Sequence, residues 1–170
     1  QEDVLEVSST MDIGEHPAGR LGEVWAFTNA DCVRVYKNGR LLGDFYPDRA
    51  AFPHLPHPPV RIDDFIGKAL EEEEGLPPRK ARAAKAVLLA VARYGTALPW
   101  AWKLRAAWAM LRLGIGFSTA ARWYGAYVQN WGSAQVSYRF EALRAGEVRA
   151  AAERSAVVER RLVLRADRTE

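Results

Sequence analysis

The hydrophobic period changes twice along the chain. Residues 4–7, Val24–Thr28, 33–37 and Arg40–Phe45 are short runs rich in β-branched and aromatic residues, the pattern of half-buried strands. Asn29-Ala30-Asp31 separates the second run from the third, and Asn38-Gly39 separates the third from the fourth. Asn-Gly in that position predicts a two-residue type I′ turn, because this turn needs positive φ at both central residues. Residues 11–21 hold two Gly, a Pro and several charges, and predict a loop. The stretch 47–59 carries prolines at 47, 53, 56, 58 and 59 and predicts a rigid, extended crossing with neither ladder nor helix.

From Asp63 the period becomes helical. Asp63 is the expected N-cap of a first helix with Phe65, Ile66, Ala69 and Leu70 on one face, ended by Glu71 to Glu74 and Gly75. Pro77-Pro78 opens a second, with Ala84, Val87, Leu88 and Val91 in register, and Gly95 stops it. A third begins near Pro99 and shows the stripe Trp100, Leu104, Ala107, Trp108 and Leu111, broken by Gly114 and Gly116. Ser118 is the expected cap of a fourth, whose face is Trp123, Tyr124, Tyr127, Val128 and Trp131. After Gly132 the β pattern returns at 135–142, turns at Ala145-Gly146, and continues at 148–153 and 157–166. The order is strands, helices, strands, without an internal repeat. It predicts a mainly β sandwich formed by 1–62 and 132–170, with 63–131 as an inserted four-helix subdomain, α+β in total.

Two stretches carry a family resemblance. The Val24–Thr28 strand leads into T-N-A-D at 28–31 and V-x-V-Y-x-N-G-x-x-L-G at 33–43. Tyr138-Arg139-Phe140-Glu141-Ala142 is followed by Gly146-Glu147-Val148-Arg149-Ala150. Together they resemble the immunoglobulin-like β-sandwich that lies C-terminal to the catalytic barrel in glycoside hydrolase family 2, the β-galactosidase family. The resemblance covers the β-rich parts of the chain and leaves out the helices, where the ordinary sandwich has a short link. It implies an immunoglobulin-like fold and a non-catalytic accessory module of a β-galactosidase-like parent in carbohydrate metabolism, with an architectural role and the parent's other domains as partners. The chain opens inside one predicted strand and ends just past another, as expected of a piece of a larger protein.

Composition narrows the chemistry. With 49% hydrophobic residues, the chain can bury a core and is not disordered by composition. A net charge of +3, with Lys and Arg scattered along the sequence, gives no reason to expect a nucleic-acid partner. Cys32 is the single cysteine, so neither an internal disulfide nor a cysteine metal cluster is expected. Gln1-Glu2-Asp3 is acidic where a secretory leader would be basic, and no run reaches the ~18 apolar residues of a membrane span, so no membrane partner is expected and the compartment stays open.

No catalytic, cofactor-binding or metal site is expected. The paired carboxylates of retaining glycosidases belong to the barrel, and nothing here matches the motifs around them. Asp63-Asp64 reads better as a helix start, and Glu71 to Glu74 as a solvated helix end. His54 and His57 flank Leu55-Pro56 in the crossing and lack the i,i+4 spacing of helical zinc motifs; a third ligand would have to come from His16 or a distant carboxylate. Ser8-Ser9-Thr10 and Ser118 have no accompanying His motif, and Gly114-Ile115-Gly116 lacks a phosphate-binding context.

The aromatics of the helical segment are the one feature with binding potential. Exposed Trp and Tyr rings suit the apolar faces of sugars. Stripes at helical spacing are usually core, which points to packing for Trp100, Trp108, Trp123, Tyr127 and Trp131. Trp102 lies off its helix's stripe and is the expected exposed ring. The candidate carbohydrate-binding residues are thus Trp102, Trp123, Tyr124 and Trp131. A carbohydrate-binding module predicts an exposed aromatic row, an architectural module a buried one, and a protein-interaction or oligomerisation module a broad apolar patch without a groove.

Overall fold

The computed structural model describes residues 2–8, 24–128 and 136–155. The expected loop at 11–21, the strand at 157–166, His16 and Trp131 lie outside the described residues. Strands β1 (Leu5–Val7), β2 (Val24–Thr28) and β5 (Val60–Ile62) form one antiparallel sheet in the order β1-β2-β5. Strands β3 (Cys32–Lys37), β4 (Arg40–Phe45), β6 (Ser137–Arg144) and β7 (Glu147–Ser155) form a second, in the order β4-β3-β6-β7. Between β5 and β6 run helices α1 (Ala69–Glu72), α2 (Pro78–Tyr94), α3 (Trp100–Leu113) and α4 (Phe117–Tyr127). The fold is mixed α+β, with two antiparallel sheets and four α-helices among the described residues.

One apolar core joins these layers. Val7, Val24, Ala26, Val60 and Ile62 enter it from the first sheet, and Val33, Val35, Tyr138 and Phe140 from the second. Leu70, Ala84, Leu88, Trp123 and Tyr127 enter it from the helices. Cys32 is buried at the edge of β3. Burial above all, with Asp44 nearby, raises its thiol pKa, so the thiol is held protonated and poorly reactive.

The turns explain the sheet pairing. Asn38 and Gly39 have φ of 49° and 77°, and Ala145 and Gly146 have 51° and 81°, so both hairpins close through paired left-handed residues. The Asn38 carboxamide also accepts a hydrogen bond from Ser137 N at 2.8 Å, which fixes β6 beside the β3–β4 hairpin. Asn29-Ala30-Asp31 behaves differently. It closes no hairpin, but carries the chain from one sheet to the other. Its polar groups are committed locally: the Asn29 side chain bridges Val4 N and Glu2 O, and Asp31 Oδ2 accepts from Ala145 N at 2.8 Å. Thr28 Oγ1 donates to Val4 O at 2.6 Å and accepts from Ala30 N.

Several boundaries differ from the sequence expectation. Val60–Ile62 is a strand, the second partner of β2, hidden in the sequence by the proline run before it. The crossing itself makes one isolated bridge, Pro47 to Val60, and Phe52 packs edge-on against Trp25 at 5.8 Å. The first helix is a single turn beginning at Ala69, not Asp63. Neither Asp63 nor Asp64 caps it, since the N-cap position is Lys68 with no side-chain hydrogen bond; Asp64 Oδ1 instead closes the turn before the helix, accepting from Ile66 N at 3.0 Å and Gly67 N at 2.9 Å. That turn, completed by left-handed Gly67, spends the residues expected to be helical. Ser118 caps nothing; the N-cap position of α4 is Gly116, with no side-chain hydrogen bond.

The largest difference lies in α3. This helix lies against α2, and its least exposed positions are Trp102, Ala106, Ala109, Met110 and Leu113, of which Ala109 is buried. The expected core stripe points outward instead, with Trp100 74%, Leu104 60%, Trp108 56% and Leu111 81% exposed. Both faces of α3 are apolar, so periodicity alone cannot choose between them. Small side chains let a helix approach its neighbour closely, which favours the side of α3 that carries Ala106 and Ala109 as the inward one.

Candidate functional site

A cleft opens beside the β5–α1 link, with a volume of about 660 Å³. Its walls are Arg61 from β5, Asp63 and Phe65 from the link after it, Arg93 and Tyr94 from the end of α2, and Trp102 from the first turn of α3. Local chemistry builds each wall. Gly95, at φ 52°, ends α2, and the short 3-10 turn to Ala97 followed by Pro99 at the N-cap of α3 bring Tyr94 and Trp102 to one edge. Lys85 Nζ, from α2, binds Asp64 Oδ2 at 2.5 Å and Gly67 O at 3.0 Å, locking the helix to the link. Arg61 pairs with Asp63 at 3.4 Å. The Arg105 guanidinium lies 5.0 Å over the Trp102 ring and holds its orientation.

Trp102, expected to be the exposed ring, is half-buried in this wall. Trp123, only 3% exposed, belongs to the core and cannot receive a ligand there. Tyr124 is half-buried and packs against the core, and Trp131 lies outside the described residues. The four candidates therefore do not form one row. His54 and His57 are both exposed rather than packed, and among the described residues no three His, Cys, Asp or Glu side chains gather as a metal site would require.

A second constellation arises from Glu71 to Glu74, which is not simply a solvated helix end. Arg122 grips Glu74 through both carboxylate oxygens, at 2.9 and 2.7 Å. The Tyr127 hydroxyl lies 2.8 Å from Glu73 Oε2 and 2.9 Å from Glu74 Oε1, and Arg40 pairs with Glu73. These cations neutralise the acidic end of α1 that would otherwise oppose the helix dipole. The Arg122 hydrogen bonds hold the Glu74 carboxyl down to about 2. Burial lowers the Lys37 ammonium to about 8, partly offset by Glu73; its Nζ donates to Tyr127 O at 2.9 Å. The node ties α1, α4 and the β3–β4 hairpin together.

The third feature is the outer face of α3; Phe117, at the start of α4, is also 80% exposed. Charge accompanies it: no Asp or Glu occurs between Gly75 and Phe140, whereas Lys and Arg recur throughout, including Lys103, Arg105 and Arg112 on α3. Arg112 covers the Trp108 ring at 4.6 Å. The basic residues are scattered along the chain, as expected; what distinguishes the helical segment is the lack of acidic residues after Gly75, a signal readable in the sequence once acidic residues are counted by segment. The chain matches no protein-family model and no curated protein.

Proposed function

We propose that the chain is a non-catalytic module of a glycoside hydrolase family 2 protein of β-galactosidase type. Its two sheets would be an immunoglobulin-like sandwich and its helices an elaboration that docks on a neighbouring domain of the same polypeptide. The observation that carries the docking role is the unburied apolar row Trp100, Leu104, Trp108 and Leu111, with Phe117 also exposed. Isolated exposed apolar residues are ordinary, but a contiguous aromatic and aliphatic row along one helix marks an interaction surface. Its basic margin favours a partner surface with an acidic rim around an apolar trough. The motif residues of the family resemblance support an architectural reading as well: Thr28, Asn29, Asp31 and Asn38 are spent on hydrogen bonds that join strands and turns.

The test has two arms. The purified chain should not hydrolyse aryl β-galactosides or β-glucosides, while the natural polypeptide that contains it should. Turnover by the isolated chain that survives repurification and scales with protein overturns the non-catalytic reading. A natural polypeptide without a family 2 barrel overturns the parentage.

A further inference from the structure

We propose that the cleft between the β5–α1 link, the end of α2 and the start of α3 binds a neutral saccharide, with Trp102 as its stacking platform. The site shares no residue with the outer row of α3, so it does not rest on the docking reading. At about 660 Å³ it falls within the roughly 300–1,000 Å³ typical of small-molecule sites.

The lining selects the ligand class. Arg61, Arg93, Asp63 and Asp64 all line the cleft, Arg61 paired with Asp63 and Arg93 lying over the Tyr94 ring, so a strongly charged ligand of either sign meets like charge, whereas a neutral one meets none. Carboxylates accept and guanidiniums donate in planar pairs, which matches neighbouring hydroxyls that do both. Tyr94 and Trp102, over an apolar floor that includes Phe65 and Leu89, supply a surface for the C–H face of a pyranose ring. A neutral polyhydroxylated ring satisfies both halves of this lining.

The site is also organised before any ligand arrives. Arg105 fixes the Trp102 ring at 5.0 Å without contributing to the cleft wall. Asp64 is committed to Lys85 and to two backbone N–H groups, and so acts as a positioning residue. Asp63, with its side chain 58% exposed and paired among the described residues with Arg61, is the acceptor available to ligand hydroxyls.

Isothermal titration of the full chain with galactose, glucose, lactose and cellobiose tests this. At least one should bind saturably, with Trp102→Ala weakening it by about tenfold or more and Trp108→Ala changing it by less than about twofold. Trp102→Phe should retain part of the affinity. Should Trp102→Ala fail to melt cooperatively, Asp63→Ala, at an exposed position, takes its place with the same expected loss. Absence of saturable binding to all four sugars overturns the proposal. So does wild-type affinity in the cleft variant, or an equal loss in Trp108→Ala. A Leu104→Glu/Leu111→Glu chain should bind sugar normally, which separates failure here from failure of the docking surface.

Discussion

Gly39 sits at φ 77° with nothing within 4 Å of where a Cβ would stand. A side chain there meets no steric obstacle, so Gly39→Val isolates the backbone cost of a β-branched residue in the left-handed region. That cost is about 1–3 kcal/mol. Urea denaturation should show a loss of that size, and an unchanged midpoint would remove the tight turn from the account. Gly67 differs, because a Cβ there would also meet Leu42 Cα at 3.1 Å. Residue chemistry also sets a pH signature. Glu74 is held at about 2 against an ordinary 4.5, so its contribution to stability is complete above pH 4.5 and lost as pH falls toward 2. Lys37 works in the other direction: burial to about 8 against 10.5 imposes a penalty that is full below pH 8 and relieved as pH rises from 8 to 10.5. Glu74→Gln should flatten the acid limb of the stability profile between pH 4.5 and 2, measured by urea midpoints. An acid limb equal to wild type would mean that the Arg122 and Tyr127 contacts contribute nothing.

At the scale of the element, legibility followed local signals. The hairpins were readable because Asn38-Gly39 and Ala145-Gly146 state their turn chemistry in two residues. The ends of α2 were readable from Pro77-Pro78 and Gly95. The three-residue strand β5 was not, because a strand that short has no period and its identity comes from pairing with β2. The inward face of α3 was not readable either, since large side chains suggest a core more strongly than alanines do, and both faces of the helix are apolar. This orientation yields a prediction. Leu104→Glu/Leu111→Glu in the isolated chain should change stability by less than about 0.5 kcal/mol, because both positions face solvent. A loss of about 2 kcal/mol or more, the cost expected for buried leucines, would put the stripe back in the core.

Across the whole molecule, the order strands, helices, strands was legible from the change of period, and so was the presence of two families of strands. The division into a three-stranded and a four-stranded sheet was not, because Asn29-Ala30-Asp31 resembles a hairpin turn in sequence but serves as a passage between sheets. The cleft was invisible for a related reason. Arg61, Asp63, Arg93, Tyr94 and Trp102 come from three separate elements, and only the locking of α2 by Lys85 and Asp64 brings them to one wall. We propose that the outer face of α3, exposed in this chain, is covered by a neighbouring domain of a longer polypeptide. Hydroxyl-radical footprinting, read by mass spectrometry at Trp100, Trp108 and Leu111, measures this directly in the isolated chain and in the natural polypeptide that contains it. The account predicts strong labelling of all three in the isolated chain and clear protection in the longer polypeptide. Equal labelling in the two would contradict it.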